Sequence, residues 1–401
     1  MKASRGYKKT DVGVIPDDWE LKRLREIGSF KKGKGIKKDE VNSVGLPCIR
    51  YGEIYTLHND YIKSFTSFIS REVASKSQPI RKGDLLFAGS GETAEEIGKC
   101  VAFLQDEEAY AGGDVIILSP NNAAKSEFLA FLMNSKPITK QKANLGQGNA
   151  VVHIYPKNLG QVLIPVPPTS EQIAISNALF EIDSLISSLE KLILKKQNMK
   201  QAAMQILLTG KERLKGFNAD WSQGRLNEFL QIRKGEQINR SQLSDSDIYP
   251  VINGGVEPSG FTSKWNRSEN TITISEGGNS CGYVNYMTKI FWSGGHCYTL
   301  HNLTGDLDDS FLFHYLKFRE KAIMELRVGS GLPNIQKNRL GAFIVPIPSL
   351  KEQKEISNIF SNILAEIESL QSQLTKYKFA KQGMMQSLLT GKVRLVNPSG
   401  K

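Results

Sequence analysis

IPVPPTSEQIAISN, residues Ile164–Asn177, returns later in the chain as VPIPSLKEQKEISN, residues Val345–Asn358. LLTGKERL, Leu207–Leu214, returns as LLTGKVRL, Leu388–Leu395. Both pairs stand 181 residues apart, no gap is needed between Ile164 and Leu214, and 23 of those 51 positions are identical. A constant offset over that length means a duplicated unit whose two copies share length and structure. The likeness extends outward more loosely. DDWELKRLREIGSFKKG (Asp17–Gly33) resembles ADWSQGRLNEFLQIRKG (Ala219–Gly235), Gly112-Gly113 matches Gly294-Gly295, Phe128-Leu129 matches Phe311-Leu312, and Gly146-x-Gly148 matches Gly329-x-Gly331. Between these anchors the halves diverge.

Each strongly repeated segment reads as one long helix. Prolines precede it, which suits a helix entry and forbids backward continuation; Thr169 or Ser170 is expected to cap the first, and Gly210 to stop it. Apolar residues then alternate at spacings of four and three: Ile175, Leu179, Ile182, Ile186, Leu189 and Ile193 in the first copy; Ile356, Phe360, Ile363, Ile367, Leu370 and Leu374 in the second. That is a heptad seam. A seam of that length needs a partner, and two equivalent helices in one chain can bury each other as an antiparallel coiled coil, with the globules at opposite ends of a rod of roughly 57 Å. The competing arrangement is each helix packed only on its own globule.

The expected order is therefore globule, helix, globule, helix: 1–165, 166–214, 215–346 and 347–395. The globules read as α+β, with β-rich runs at Val73–Ser90 and Asn270–Met287 punctuated by glycine turns, and short helices near Phe128–Met133 and Phe311–Leu316. A framework kept while its interior varies suits two different recognition tasks.

The 401 residues carry 52 Lys and Arg against 41 Asp and Glu, a formal charge of +11. A basic excess favours an anionic partner such as nucleic acid, although a heparin-like or membrane surface would fit as well. No apolar run reaches the ~18–20 residues of a membrane span, and Met1–Thr10 lacks a secretory pattern, so a cytoplasmic location is expected. The four cysteines are scattered, and neither they nor His296, Cys297 and His301 have metal-ligand spacing, so no metal is expected.

Enzyme signatures are missing too. Gly28–Gly35 approaches a phosphate-binding loop, but Gly35 supplies no hydroxyl where Ser or Thr is needed, and its counterpart Leu230–Gln237 lacks both the first glycine and the lysine. There is no dinucleotide fingerprint, HExxH, GxSxG or methyltransferase-type Pro-Pro-Tyr run. Asp84, Glu92 and Asp114 have no matching set in the second half, so caps and surface charges are the simpler reading than nuclease ligands. No catalytic residue is assigned.

The start GVIPDDW (Gly13–Trp19), the PxPxxxEQ entry to each helix and the two LLTGKxRL ends resemble type I restriction–modification specificity subunits, over nearly the whole chain. The resemblance implies two target recognition domains separated by the long helices, each domain reading one half of a split, asymmetric site on double-stranded DNA. It implies docking of two modification subunits, which methylate adenine, and of restriction subunits. S-adenosylmethionine, ATP and magnesium would sit on those partners, with no cofactor in this chain.

On that reading, basic residues grip phosphates while Asn, Gln, Arg and Ser read base edges. In the first globule the candidates are Lys31, Lys32, Lys34, Lys37, Lys38, Arg50 and Tyr51, then Ser90, Gln147 and Asn149. In the second they are Arg233, Lys234, Asn253, Trp265, Arg267, Asn279, Ser280, Ser330 and Asn334. Two other readings stay open. A stand-alone duplicated nuclease or methyltransferase predicts turnover by the chain alone. A protein-only coiled-coil adaptor predicts no salt-dependent DNA binding.

Overall fold

The computed structural model describes residues 6–148, 151–301, 304–329, 331 and 333–396. The chain divides into two compact units: Met1–Leu189 with Gln373–Lys401, and Glu190–Ser372. Both are α+β.

In the first unit, an antiparallel four-stranded sheet runs in the order Cys100–Ala102, Leu85–Ala88, Val115–Pro120, Gly28–Lys32. Its central strands are continuous apolar runs because both faces are buried. Side chains alternate across a strand. Leu85, Phe87, Ile116 and Leu118 therefore enter one core, which includes Trp19, Phe128 and Phe131. Leu86, Ala88, Val115 and Ile117 enter another, with Ile49, Ile54 and Phe103. A second sheet, ordered Ser67–Ile69, Leu46–Ile49, Ala109–Ala111, Gln78–Ile80, is built from strands that interleave in sequence with those of the first, with one parallel pairing. The ribbon Glu20–Arg23 with Leu163–Val166 joins the two ends of the globule. The expected β run from Val73 opens instead with a helix, Arg71–Lys76, capped by Ser70, whose Oγ accepts from the Val73 amide. The Ser70 cap and the short run before Pro79 outweigh the single valine.

The second unit repeats this order. Val284–Met287, Thr271–Ser275, Cys297–His301 and Gln231–Lys234 form the matching antiparallel sheet. Phe261–Thr262, Tyr249–Ile252 and Trp292–Ser293 form the smaller one. Ser222–Arg225 and Ile344–Ile347 form the closing ribbon. One face again enters an apolar core, through Ile272, Ile274, Tyr298 and Leu300. The other face differs: Thr271, Thr273, Ser275 and Thr299 are buried there instead of aliphatic residues.

Two of the matched glycine sites are sites of backbone contact. A Cβ on Gly33 would lie 1.9 Å from the carbonyl oxygen of Gly112, and one on Gly235 would lie 2.1 Å from that of Gly294. No side chain fits, which is why glycine recurs at both places.

The long helices span Thr169–Leu207 and Leu350–Leu388. The first begins at Thr169, earlier than the expected cap. The Pro168 carbonyl receives the Glu171 and Gln172 amides, so Thr169 and Ser170 lie inside the first turn. Gly210 and Gly391 follow the helix ends with φ of 67° and 69°, left-handed values that glycine adopts without cost.

The helices pair within each unit as an antiparallel coiled coil. In the first unit Lys381 Nζ lies 2.8 Å from Asp183 and 2.7 Å from Asp60, while Arg394 meets Glu171. In the second, Lys196 pairs with Glu366 at 2.7 Å and Arg213 with Glu352. Partners ascend in one helix as they descend in the other. Ile186, Leu189, Ile193 and Ile367 are buried; Ile182, Ile363, Leu370 and Leu374 are half-buried. Ile175 and Leu179 join the first globule's core together with Leu388 and Leu389 from the other helix. Ile356 and Phe360 do the same in the second core, with Met204 and Leu208. Each unit thus holds the start of its own helix and the end of the other.

The repeated polar residues fasten this exchange. Arg394 grips Glu171 through two contacts of 2.5 and 2.7 Å and Asp18 through two of 3.0 and 2.8 Å. Trp19 Nε1 donates to the same Glu171 carboxylate at 2.9 Å. In the other unit Arg213 grips Glu352 at 2.7 and 2.6 Å, and Trp221 Nε1 donates to it at 3.1 Å. The neighbouring glutamines are anchored equally: Gln172 bonds the Lys125 amide and Pro167 carbonyl, Gln353 the Asp308 amide and Pro348 carbonyl.

One contrast between the units is testable by pH. His314 of the second unit occupies the position of Phe131 in the first and packs, tilted by 48°, against Phe313 and Phe360 with ring centroids at 5.2 and 5.1 Å. Burial, then the charge of Lys200, pushes its pKa down to about 4. Burial and Arg267 do the same to His301, also to about 4. Unfolded histidine binds its proton near 6.5, so below that pH the unfolded chain takes up more protons than the folded one. Stability from these histidines is full above pH ~6.5 and is lost as pH falls toward 4. The unfolding midpoint of the second unit should drop through that window, and His314→Phe should reduce the drop by on the order of 2 kcal/mol, read by thermal melts at pH values across it.

Candidate nucleic-acid interface

The matched Lys-Gly and Gly-Gly sequences meet at one place in each globule, at the end of the inner sheet. In the first, Lys32 Nζ stands 4.0 Å from Asp114, both side chains more than half exposed. In the second, His296 takes the place of Asp114, and the acid is supplied by Glu276 at the end of the neighbouring strand. Glu276 is buried. Its Oε1 accepts from Lys234 Nζ at 2.6 Å and from Tyr298 Oη at 3.1 Å, and its Oε2 lies 3.8 Å from His296 Nδ1.

The predicted residues distribute around these two places. Lys31, Lys32, Lys34, Lys37 and Lys38 are exposed along the edge strand Gly28–Lys32 and the segment after it. Gly28–Lys32 being a strand, the near-match to a phosphate loop has no loop and no following helix of the required kind. Arg50 is half-buried beside Glu53, and Tyr51 is exposed at the start of the next helix. Ser90 is buried, its Oγ 2.9 Å from His153 Nδ1, and the backbone of Gln147 exchanges two bonds with His153. That brings Ser90 and Gln147 together. Asn149 lies outside the described residues, as does Ser330. Asp84 is a local cap: its carboxylate accepts from the Arg81 amide and from Ser119 Oγ.

In the second globule the pieces converge on the Glu276–Gly282 loop. Asn279 lies at its exposed tip, and Ser280 Oγ donates to the Gly254 carbonyl at 2.5 Å. Asn253, next to Gly254, accepts from the His296 amide, and Asn334 pairs with Gly277. Arg233 is exposed and bonds Gln231. Arg267 is turned inward, its guanidinium donating to Thr299 Oγ1 and to the carbonyls of Asn266 and Lys234. Trp265 is 54% exposed. Glu276, His296 and Tyr298 complete the arrangement without having been singled out for it. The available signal was an acid immediately before Gly277-Gly278, at the end of a β run, which is where a loop needs an internal acceptor. Among the described residues no group of three or more His, Cys, Asp or Glu side chains is placed to hold a metal ion.

Two globules with one framework, unlike loops and exposed basic strands match a family model. It is the type I restriction modification DNA specificity domain, and it matches twice, over residues 16–197 and 218–376. The chain belongs to that family. Among its relatives is a protein of Methanocaldococcus jannaschii provisionally named the type I restriction enzyme MjaX specificity subunit, 26% identical over 97% of both chains. The EcoKI specificity subunit of Escherichia coli is 23% identical over 50% of this chain and 44% of its own. The crystal structure of a type I restriction-modification S subunit from M. genitalium shares the fold at a TM-score of 0.68, with 17% identity, over 97% of this chain and 98% of that one. As a member of this family the chain is a specificity subunit with target recognition domains, and each match covers one globule and the first part of the long helix that follows it. No helix among the described residues is long and apolar enough to cross a membrane.

Proposed function

We propose that this chain reads a bipartite, asymmetric double-stranded DNA target, one half with each globule, and does no chemistry itself. Modification subunits dock on it, two per chain, and supply adenine methylation with S-adenosylmethionine. Restriction subunits join them with ATP and magnesium. A cytoplasmic location follows from that work. The observation that carries the reading is the repeated framework: one sheet order and one glycine crossing in both globules, with the divergence confined to what surrounds them. A duplicated enzyme would repeat its reactive groups, and the acid-bearing places differ between the halves.

The exposed lysines of the first globule predict a counterion-release signature. With its modification subunit, the chain should bind duplex with an affinity that falls steeply with salt, linearly in the double-logarithmic plot, by roughly 0.9 per phosphate contact. Titrations from about 50 to 300 mM salt measure it. A flat response would leave a protein-only adaptor, and methylation or cleavage by the chain alone would point to a self-contained enzyme.

A further inference from the structure

We propose that Lys234 of the second globule is a base-reading residue, with Glu276 as the residue that positions it, whereas its counterpart Lys32 is a phosphate-gripping residue. The inference rests on the DNA-reading function above and assigns different work to two matched lysines.

A lysine that grips phosphate needs net charge and freedom more than direction. Lys32 has both: its side chain is 62% exposed, and Asp114, also exposed, is only at the 4.0 Å limit of contact. Lys234 has neither. Its ammonium is bound at 2.6 Å to a carboxylate whose own side chain is 8% exposed, yet the lysine side chain is still 53% exposed. The pair is neutral in sum, so it contributes little to counterion release. Orientation is what it gains. Glu276 is itself fixed: Tyr298 donates to the same oxygen, its amide donates to the His296 carbonyl, and its own carbonyl receives the Ile335 amide. One N–H of Lys234 is used on this fixed acceptor, which leaves two on a side chain that is 53% exposed beside the strand end where the Glu276–Gly282 loop begins. A directed donor pair of this kind suits a base edge offering only acceptors, the O6 and N7 of guanine in the major groove.

The two roles give opposite signatures. Loss of a phosphate contact weakens binding to all sequences alike and lowers the salt slope by about 1, whereas loss of a base contact relaxes specificity. The preferred duplex is first selected from a random pool by the chain assembled with its modification subunits. Affinity for that duplex and for a scrambled one is then measured across salt for Lys234→Gln, Glu276→Gln and Lys32→Gln. For Lys234→Gln the preference for the selected duplex should fall by about five-fold or more, with the slope unchanged. Glu276→Gln should lower the preference as well, because the lysine is freed but not removed, and its unbalanced charge should raise the slope rather than lower it. Lys32→Gln should lower the slope and keep the preference. A reduced slope with preserved preference in Lys234→Gln overturns the assignment, and because the glutamine amide and Tyr298 Oη can both still donate to the buried Glu276 carboxylate, this variant reports even if Glu276→Gln fails to fold. If the unsubstituted assembly selects no duplex, the DNA-reading function falls first, and this assignment with it.

Discussion

Arg394→Ala is expected to destabilise the first unit by about 3–5 kcal/mol, although Arg394 is only seven residues from the end of the sequence. The reason is what the substitution leaves behind. Glu171 is fully buried, and without the guanidinium its carboxylate keeps, among the described residues, only the Trp19 indole as a side-chain donor. An unpaired buried charge is far costlier than the pair is beneficial, so the loss reflects the orphan rather than the bridge. Asp18, more exposed, adds little; its carboxyl is held below the usual range by its hydrogen bonds to Arg394 and will merely revert. Two comparisons make the mechanism checkable. Arg213→Ala orphans the equally buried Glu352 and should destabilise the second unit instead. Adding Glu171→Gln to Arg394→Ala removes the charge while keeping an acceptor for Trp19, and should restore more than half of the loss. Hydrogen exchange resolved by segment reads both units in one experiment. A loss under about 1 kcal/mol for Arg394→Ala, the scale of a surface bridge, would mean that the contact is not functionally buried.

This fastening shows how far the sequence could be read. The duplication, the order of globules and helices, the heptad seam and the stop at Gly210 all follow from periodicity and spacing, because they are properties of one segment at a time. The matched residues Trp19 and Trp221, Glu171 and Glu352, Arg213 and Arg394 were visible too, but as anchors of each copy. Their connection was not visible, since it joins the end of one copy to the start of the other: Arg213 belongs with Glu352, not with Glu171. Nothing in a linear pattern distinguishes those pairings. The same limit applied to the seam, whose first positions Ile175 and Leu179 serve a globule core as well as a helix pair. Glu276 escaped for another reason. It has no counterpart in the first half, so comparison between halves could not raise it, and a single acid beside Gly-Gly is a common turn. The glycines, by contrast, were legible, because close backbone approach leaves glycine as the only option in both copies.

Exchange of the second recognition segment is the prediction with the largest functional effect. Replacing Gly224–Ile344 with the matching segment of another family member should change one half of the recognised DNA site and leave the other half as it was. The boundaries fall in the ribbon where Gly224 faces Val345 and Arg225 faces Ile344, so the donor enters and leaves through adjacent backbone and the ladder survives if its register is kept. What the donor must preserve is the face it turns to the helices. Leu226, Phe311, Leu312 and Leu340 pack with Met204, Leu208, Ile356 and Phe360, and Gln353 bonds the amide of Asp308 and the carbonyl of Asp306. What it may change is everything around the Lys-Gly and Gly-Gly crossing: Lys234, Asn253, the Glu276–Gly282 loop and Asn334 all lie inside the exchanged segment. Each altered base pair carries about 1–3 kcal/mol, so several together should shift preference between old and new half-sites by roughly 10³-fold or more. Selection from random duplexes, run on parent and exchange in parallel, reads both halves at once. A chain whose folded exchange altered both halves, or neither, would have its specificity spread across the units rather than divided between them, and the two-reader function would have to be abandoned.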